Sequence, residues 1–162
     1  MDVKYKVLGI IVAAAIGMQL IPYGKNHSNP AVVAEPKWSN LKTRELFFRA
    51  CSDCHSNVTK WPWYSNIAPV SWLIQHDVDD GRKHFNISLW GFQKKNKGHE
   101  SAEEIAKKKM PPWFYLIPHP DAKLSENETQ KMIKGLVATF GGKEGKINSK
   151  EDAEHKHKED ID

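Results

Sequence analysis

The chain has 162 residues, with 24 Lys plus Arg against 20 Asp plus Glu, and only two cysteines. Its formal net charge of +4 is small and scattered, and no recognition motif accompanies it. That argues against a nucleic-acid partner and supports at most a weak electrostatic preference for an acidic protein.

Lys4 and Lys6 precede the run Val7 to Ile21, VLGIIVAAAIGMQLI, which carries no charge and has Gln19 as its only strongly polar side chain. Tyr5 and Tyr23 bracket it. A positive start, an apolar middle and interfacial aromatics mark residues 1–24 as an N-terminal membrane anchor or signal segment, although the run is short beside the roughly 17 to 25 residues of a bilayer span. The best cleavage candidate, Val32-Val33-Ala34, lies far downstream, so retention as an anchor is the favoured expectation. Either outcome places the rest of the chain on the periplasmic side of a bacterial inner membrane. Residues 25–37, polar and flanked by proline, read as a linker.

The domain proper is expected over residues 38–140, a compact unit of roughly 100 residues. Leu41 to Ala50 places Leu41, Leu46, Phe47 and Ala50 at helical spacing and runs directly into Cys51-Ser52-Asp53-Cys54-His55. Two thiols three positions apart lie on about the same side of one helical turn, and the histidine follows at once. This is the spacing that attaches a c-type haem, each sulfur bonding one vinyl group and His55 serving as proximal iron ligand. The competing uses fit less well. Zinc wants four tetrahedral ligands, a thioredoxin-like dithiol wants a βαβ context, and a disulfide across so short a separation is strained. One covalent haem c per chain is the expected cofactor, and attachment outside the cytoplasm agrees with export.

Trp61 to Asn66 is too rich in proline and aromatics for a helix and reads as a loop around the cofactor, while Val70 to Asp80 is expected as a helix with Gly81 as its stop. Ser101 to Glu104 has the spacing of a capping box opening a helix to about Lys109, ahead of Pro111-Pro112. Ser125 to Glu128 is a second such box, opening a helix with an apolar stripe of Met132, Ile133, Leu136, Val137 and Phe140 that Gly141-Gly142 ends. No strand signal appears, so the expected fold is all-α, a small helical domain around a covalent haem that contributes much of the buried area. Residues 141–162 read as a disordered charged tail, in which His155 and His157 are expected to be solvated.

For the sixth iron position Met110 leads, because a proline-stiffened loop can hold its thioether at a fixed height, and His119, between Pro118 and Pro120, is the alternative. Met132 is expected in the core and Met18 in the apolar N-terminal run. His76 is expected to hydrogen-bond or lie at the surface of the helical run, and His84 and His99 to be solvated in polar loops. The Ile67-Ala68-Pro69 loop is the expected source of a carbonyl for the proximal imidazole, and Trp61, Trp63, Tyr64 and Arg82 are candidates to contact haem propionates.

With these residues in view, the chain resembles the bacterial haem-binding domain family of cytochrome c-like proteins. The resemblance rests on CSDCHSNVTKWPWYSNIAPVSWLIQHDVDDGRKHFNISLW from Cys51 to Trp90 and on MPPWFYLIPHPDAKLS from Met110 to Ser125. It implies covalent haem at Cys51 and Cys54, axial ligation by His55, and Met110 as distal ligand. The expected function is that of a membrane-anchored monohaem c-type cytochrome, an electron carrier and not an enzyme, serving redox partner proteins in the periplasm. A small peroxidase or a haem-based sensor, with an open or exchangeable distal site, is the alternative.

Overall fold

Helices account for all the regular structure among the described residues, which in this computed structural model are 2–144. The expected tail, with His155 and His157, lies outside them from residue 145 onward. Seven α-helices follow in order: α1 Val3–Gln19, α2 Leu41–Ala50, α3 Ser52–His55, α4 Val70–His84, α5 Ser101–Ala106, α6 Trp113–Leu116 and α7 Glu126–Phe140. The nearest approach to a sheet is an isolated parallel bridge between Ala34 and Leu89. The chain divides into two compact units, one drawn from the residues up to Glu35 together with Ser52–Lys95, the other from Pro36–Cys51 together with the residues from Asn96 onward.

In the second of these units α2 begins where the Asn40 side chain accepts the Thr43 N–H at 2.8 Å, removing one of the orphan donors of a first turn. Thr43, Leu46, Phe47 and Ala50 recur at 3.6-residue spacing, and all four are buried. Helix α7 begins in a complete capping box between Ser125 and Glu128, as the sequence predicts. It buries Met132, Ile133 and Leu136, and Gly141 ends it at φ 76°. The two helices meet so closely that a Cβ on Gly135 would overlap the Thr43 side chain, which is why a helix interior tolerates glycine there. Trp38 packs against Phe47 and Phe140, with ring centroids 5.2 and 5.6 Å away, and Arg49 pairs with Glu128 at 2.7 Å.

The predicted capping box at Ser101 does not form. A 3-10 turn, Gly98–Glu100, runs directly into α5, and the Ser101 hydroxyl donates to Gly98 O at 2.6 Å instead of accepting from its own first turn. Helix α5 stops at Ala106, earlier than expected, with Lys108 in the left-handed region at φ 58°. Met110 and the prolines therefore follow an end already made.

In the other unit α1 has no buried residue. Its 17 residues span about 26 Å at 1.5 Å per residue, against roughly 30 Å of bilayer hydrocarbon. No helix among the described residues is long and apolar enough to cross a membrane. Gln19 ties α1 to a distant part of the chain: its amide donates to Ala68 O at 2.9 Å and accepts from Ala68 N at 3.0 Å. The stretch read as a linker is fastened along much of its length. His27 stacks on Trp61 with centroids 4.6 Å apart, Ala31 O accepts from Asn57 at 2.9 Å, and Val33 N donates to Ser88 O at 2.8 Å. Within the expected loop, Trp63–Asn66 forms one turn of 3-10 helix.

Candidate functional site

Cys51 caps the C-terminus of α2, its N–H donating to Phe47 O at 2.8 Å, so the motif begins where the amphipathic helix ends. Cys54 and His55 lie on the single turn α3, which the Ser56 hydroxyl closes by donating to Ser52 O at 2.6 Å. Neither cysteine is in a disulfide.

Helix α4 runs beside α3, and Gly81 makes the close approach possible. A Cβ at that position would stand 2.5 Å from Cys54 O and 2.9 Å from Cys54 Cβ. The expectation that Gly81 stops the helix is therefore corrected: α4 continues through it to His84, and the missing side chain is needed for contact, not for a turn. His84, expected in a loop, closes that helix and bonds Asp80 O at 3.0 Å.

His55 is gripped by the end of α4. Its Nδ1 lies 3.0 Å from Gly81 O and 3.2 Å from Phe85 O. Carbonyl oxygens only accept, so Nδ1 carries the proton and Nε2 keeps its lone pair. The ring stacks on Phe85 with centroids 4.2 Å apart and planes 16° from parallel. Burial lowers its pKa to about 4, against the smaller opposing effect of the two carbonyl bonds. A neutral, oriented imidazole with an electron pair on Nε2 is what a metal ligand requires. The carbonyls come from α4 and not from the Ile67-Ala68-Pro69 loop, whose Ala68 O is occupied by Gln19.

The Cys54 thiol is pushed up to about 12, first by burial and then by the carboxylates of Asp77 and Asp53. Such a sulfur resists becoming a thiolate, which opposes dithiol exchange, whereas a thioether is neutral and meets no such penalty.

Arg82 braces this unit from within. Its Nε donates to Ser56 O at 2.8 Å, while the terminal nitrogens donate to Ser28 O, Asn29 Oδ1 and Thr59 Oγ1, each at 3.0 Å. The guanidinium thus gives four of its five N–H donors to protein acceptors. Trp61 donates to the same Asn29 oxygen at 3.3 Å, while Trp63 is 76 % exposed. Buried amides complete the frame: Asn86 donates to Asn57 Oδ1 at 2.7 Å, and Ile87 N donates to His55 O at 2.9 Å.

The two distal candidates belong to the other unit. Met110 follows α5, its N–H 3.3 Å from Glu104 O, and its side chain is 40 % exposed, so it is not a core residue. Met132 is fully buried, as expected. His119 stacks on Tyr115 with centroids 4.3 Å apart and directs Nδ1–H to Tyr115 O at 3.2 Å. Sequence reasoning missed Phe85, Gln93, Asn57 and Asn86. The first acts through a backbone carbonyl and the others through amides in polar stretches, and neither use leaves a pattern.

A model of the haem-binding domain family matches residues 13–138. No curated protein and no solved structure matches the chain.

Proposed function

The chain belongs to the haem-binding domain family, and from that premise we propose that it is a monohaem c-type cytochrome, thioether-bonded at Cys51 and Cys54, that carries single electrons between protein partners. The observation behind this reading is the His55 ring, neutral, half-buried and oriented by two carbonyls so that Nε2 can serve as proximal ligand. Bound haem supplies the one-electron couple. The protein's part is to hold His55 in one tautomer, to keep water from that side of the ring through Phe85, and to present two uncharged sulfurs three positions apart. Met110 is proposed as the distal ligand, with His119 as the alternative. Its exposure suits a side chain awaiting a partner better than one packed for stability.

We place the protein at the bacterial inner membrane facing the periplasm, held by residues 1–24. The support is the uncharged run 7–21 on a helix with no buried residue.

The test is expression in a host competent in cytochrome maturation, followed by mass spectrometry and optical and magnetic spectra of wild type, Met110→Ala and His119→Ala. A mass increase of one porphyrin and loss of the weak far-red sulfur-to-iron band only in Met110→Ala is the expected result. Absence of the added macrocycle overturns the proposal, and a spectrum changed only by His119→Ala transfers the distal role. Carbon monoxide binding to the reduced wild type would favour the sensor or peroxidase reading instead.

A further inference from the structure

The last carbonyls of a helix have no helical N–H to accept, and something outside the helix must satisfy them. At the end of α4, Gly81 O receives the N–H of Phe85 at 3.1 Å and the His55 ring at 3.0 Å. The next two carbonyls, those of Arg82 and Lys83, are both taken by the amide nitrogen of Gln93, at 2.8 and 3.0 Å. The oxygen of the same side chain accepts the N–H of Asn86 at 2.9 Å. One glutamine thus bonds the backbone on both sides of Phe85, whose ring and carbonyl each contact His55.

We infer that Gln93 is a positioning residue for His55, setting the placement of the two carbonyls that hold its imidazole and through them the reduction potential of the bound iron. The inference rests on the proposed ligation by His55. A carbonyl accepting Nδ1–H makes Nε2 a better electron donor, and the negative end of a 15-residue helix dipole acts in the same direction. Both effects favour the oxidised, more positive iron. When Gln93 is removed, Arg82 O and Lys83 O turn toward water, the turn at Phe85 loosens, and the hold on the ring weakens.

Haem-loaded Gln93→Met, which keeps the length of the side chain but neither donors nor a strong acceptor, is compared with wild type and with Lys94→Ala, an exposed neighbour. Gln93→Asn, one methylene short of its partners, carries the measurement where Gln93→Met does not load. The expected result is a reduction equilibrium shifted about threefold to tenfold toward the reduced form, the upper bound being 59 mV for one electron. Faster solvent exchange of the His55 Nδ1 proton by NMR accompanies it, and Lys94→Ala shows neither change. Potentials and exchange rates equal to wild type in both Gln93 variants overturn the inference. A wild type that carries no haem overturns instead the reading on which it rests.

Discussion

Replacing Gly81 by alanine tests whether α3 and α4 are held together by a close backbone approach. In an exposed helix interior the change is favourable by about 1 kcal/mol. Here the new Cβ would meet Cys54 O at 2.5 Å, where ordinary contact begins at 3.4 Å, so the two helices must part by about 0.9 Å. Overpacking of this kind costs about 1–3 kcal/mol, and displacing Gly81 O from the His55 ring forfeits about 1 kcal/mol more. Set against the propensity gain, a net destabilisation of about 1–3 kcal/mol is expected. Urea unfolding followed by circular dichroism should show the midpoint of Gly81→Ala falling by about 1 M, with Gly17→Ala, whose Cβ meets nothing within 4 Å on an exposed stretch of α1, no less stable than wild type. A Gly81→Ala protein as stable as wild type, or more so, would refute the argument.

Arg82→Lys keeps the charge but replaces a planar fork with a single ammonium that cannot reach four acceptors, and should lose about 1–3 kcal/mol in the same assay. Met132→Ala empties a fully buried position in α7 and should cost about 2–5 kcal/mol, read as a lower thermal midpoint. Stability should also depend on acid through Glu128, whose carboxyl is held down to about 2 by the Ser125 N–H and then by Arg49. A depressed carboxyl stabilises the fold above its ordinary value of 4.5, and the contribution disappears as the pH falls from there toward about 2. The difference between unfolding midpoints at about pH 5 and pH 2.5 should therefore shrink in Glu128→Gln, and an unchanged difference would remove Glu128 from the account.

Local rules were enough wherever a feature depends on a few neighbouring residues. The spacing of Leu46, Phe47 and Ala50 marks α2 to its observed ends, and the Ser125 box starts α7 where its reciprocal bonds form. The order Cys51, Cys54, His55 points to the proposed kind of site without any three-dimensional information, because the reading depends only on the spacing of the two sulfurs and the imidazole. Tertiary contacts decided the rest. Gly81 has the identity of a helix stop, but Cys54 occupies the space its side chain would need, so the helix runs on. Ser101 has the identity of a cap, but the preceding 3-10 turn gives its hydroxyl another acceptor. The residues that orient His55 do so through the carbonyls of Gly81 and Phe85, and every residue has a carbonyl, so no side-chain pattern distinguishes these two. The spacing of the motif was thus present in the order of residues, whereas the tautomer and orientation that fit the imidazole to the proposed ligand role depend on which backbone atoms the fold brings to it.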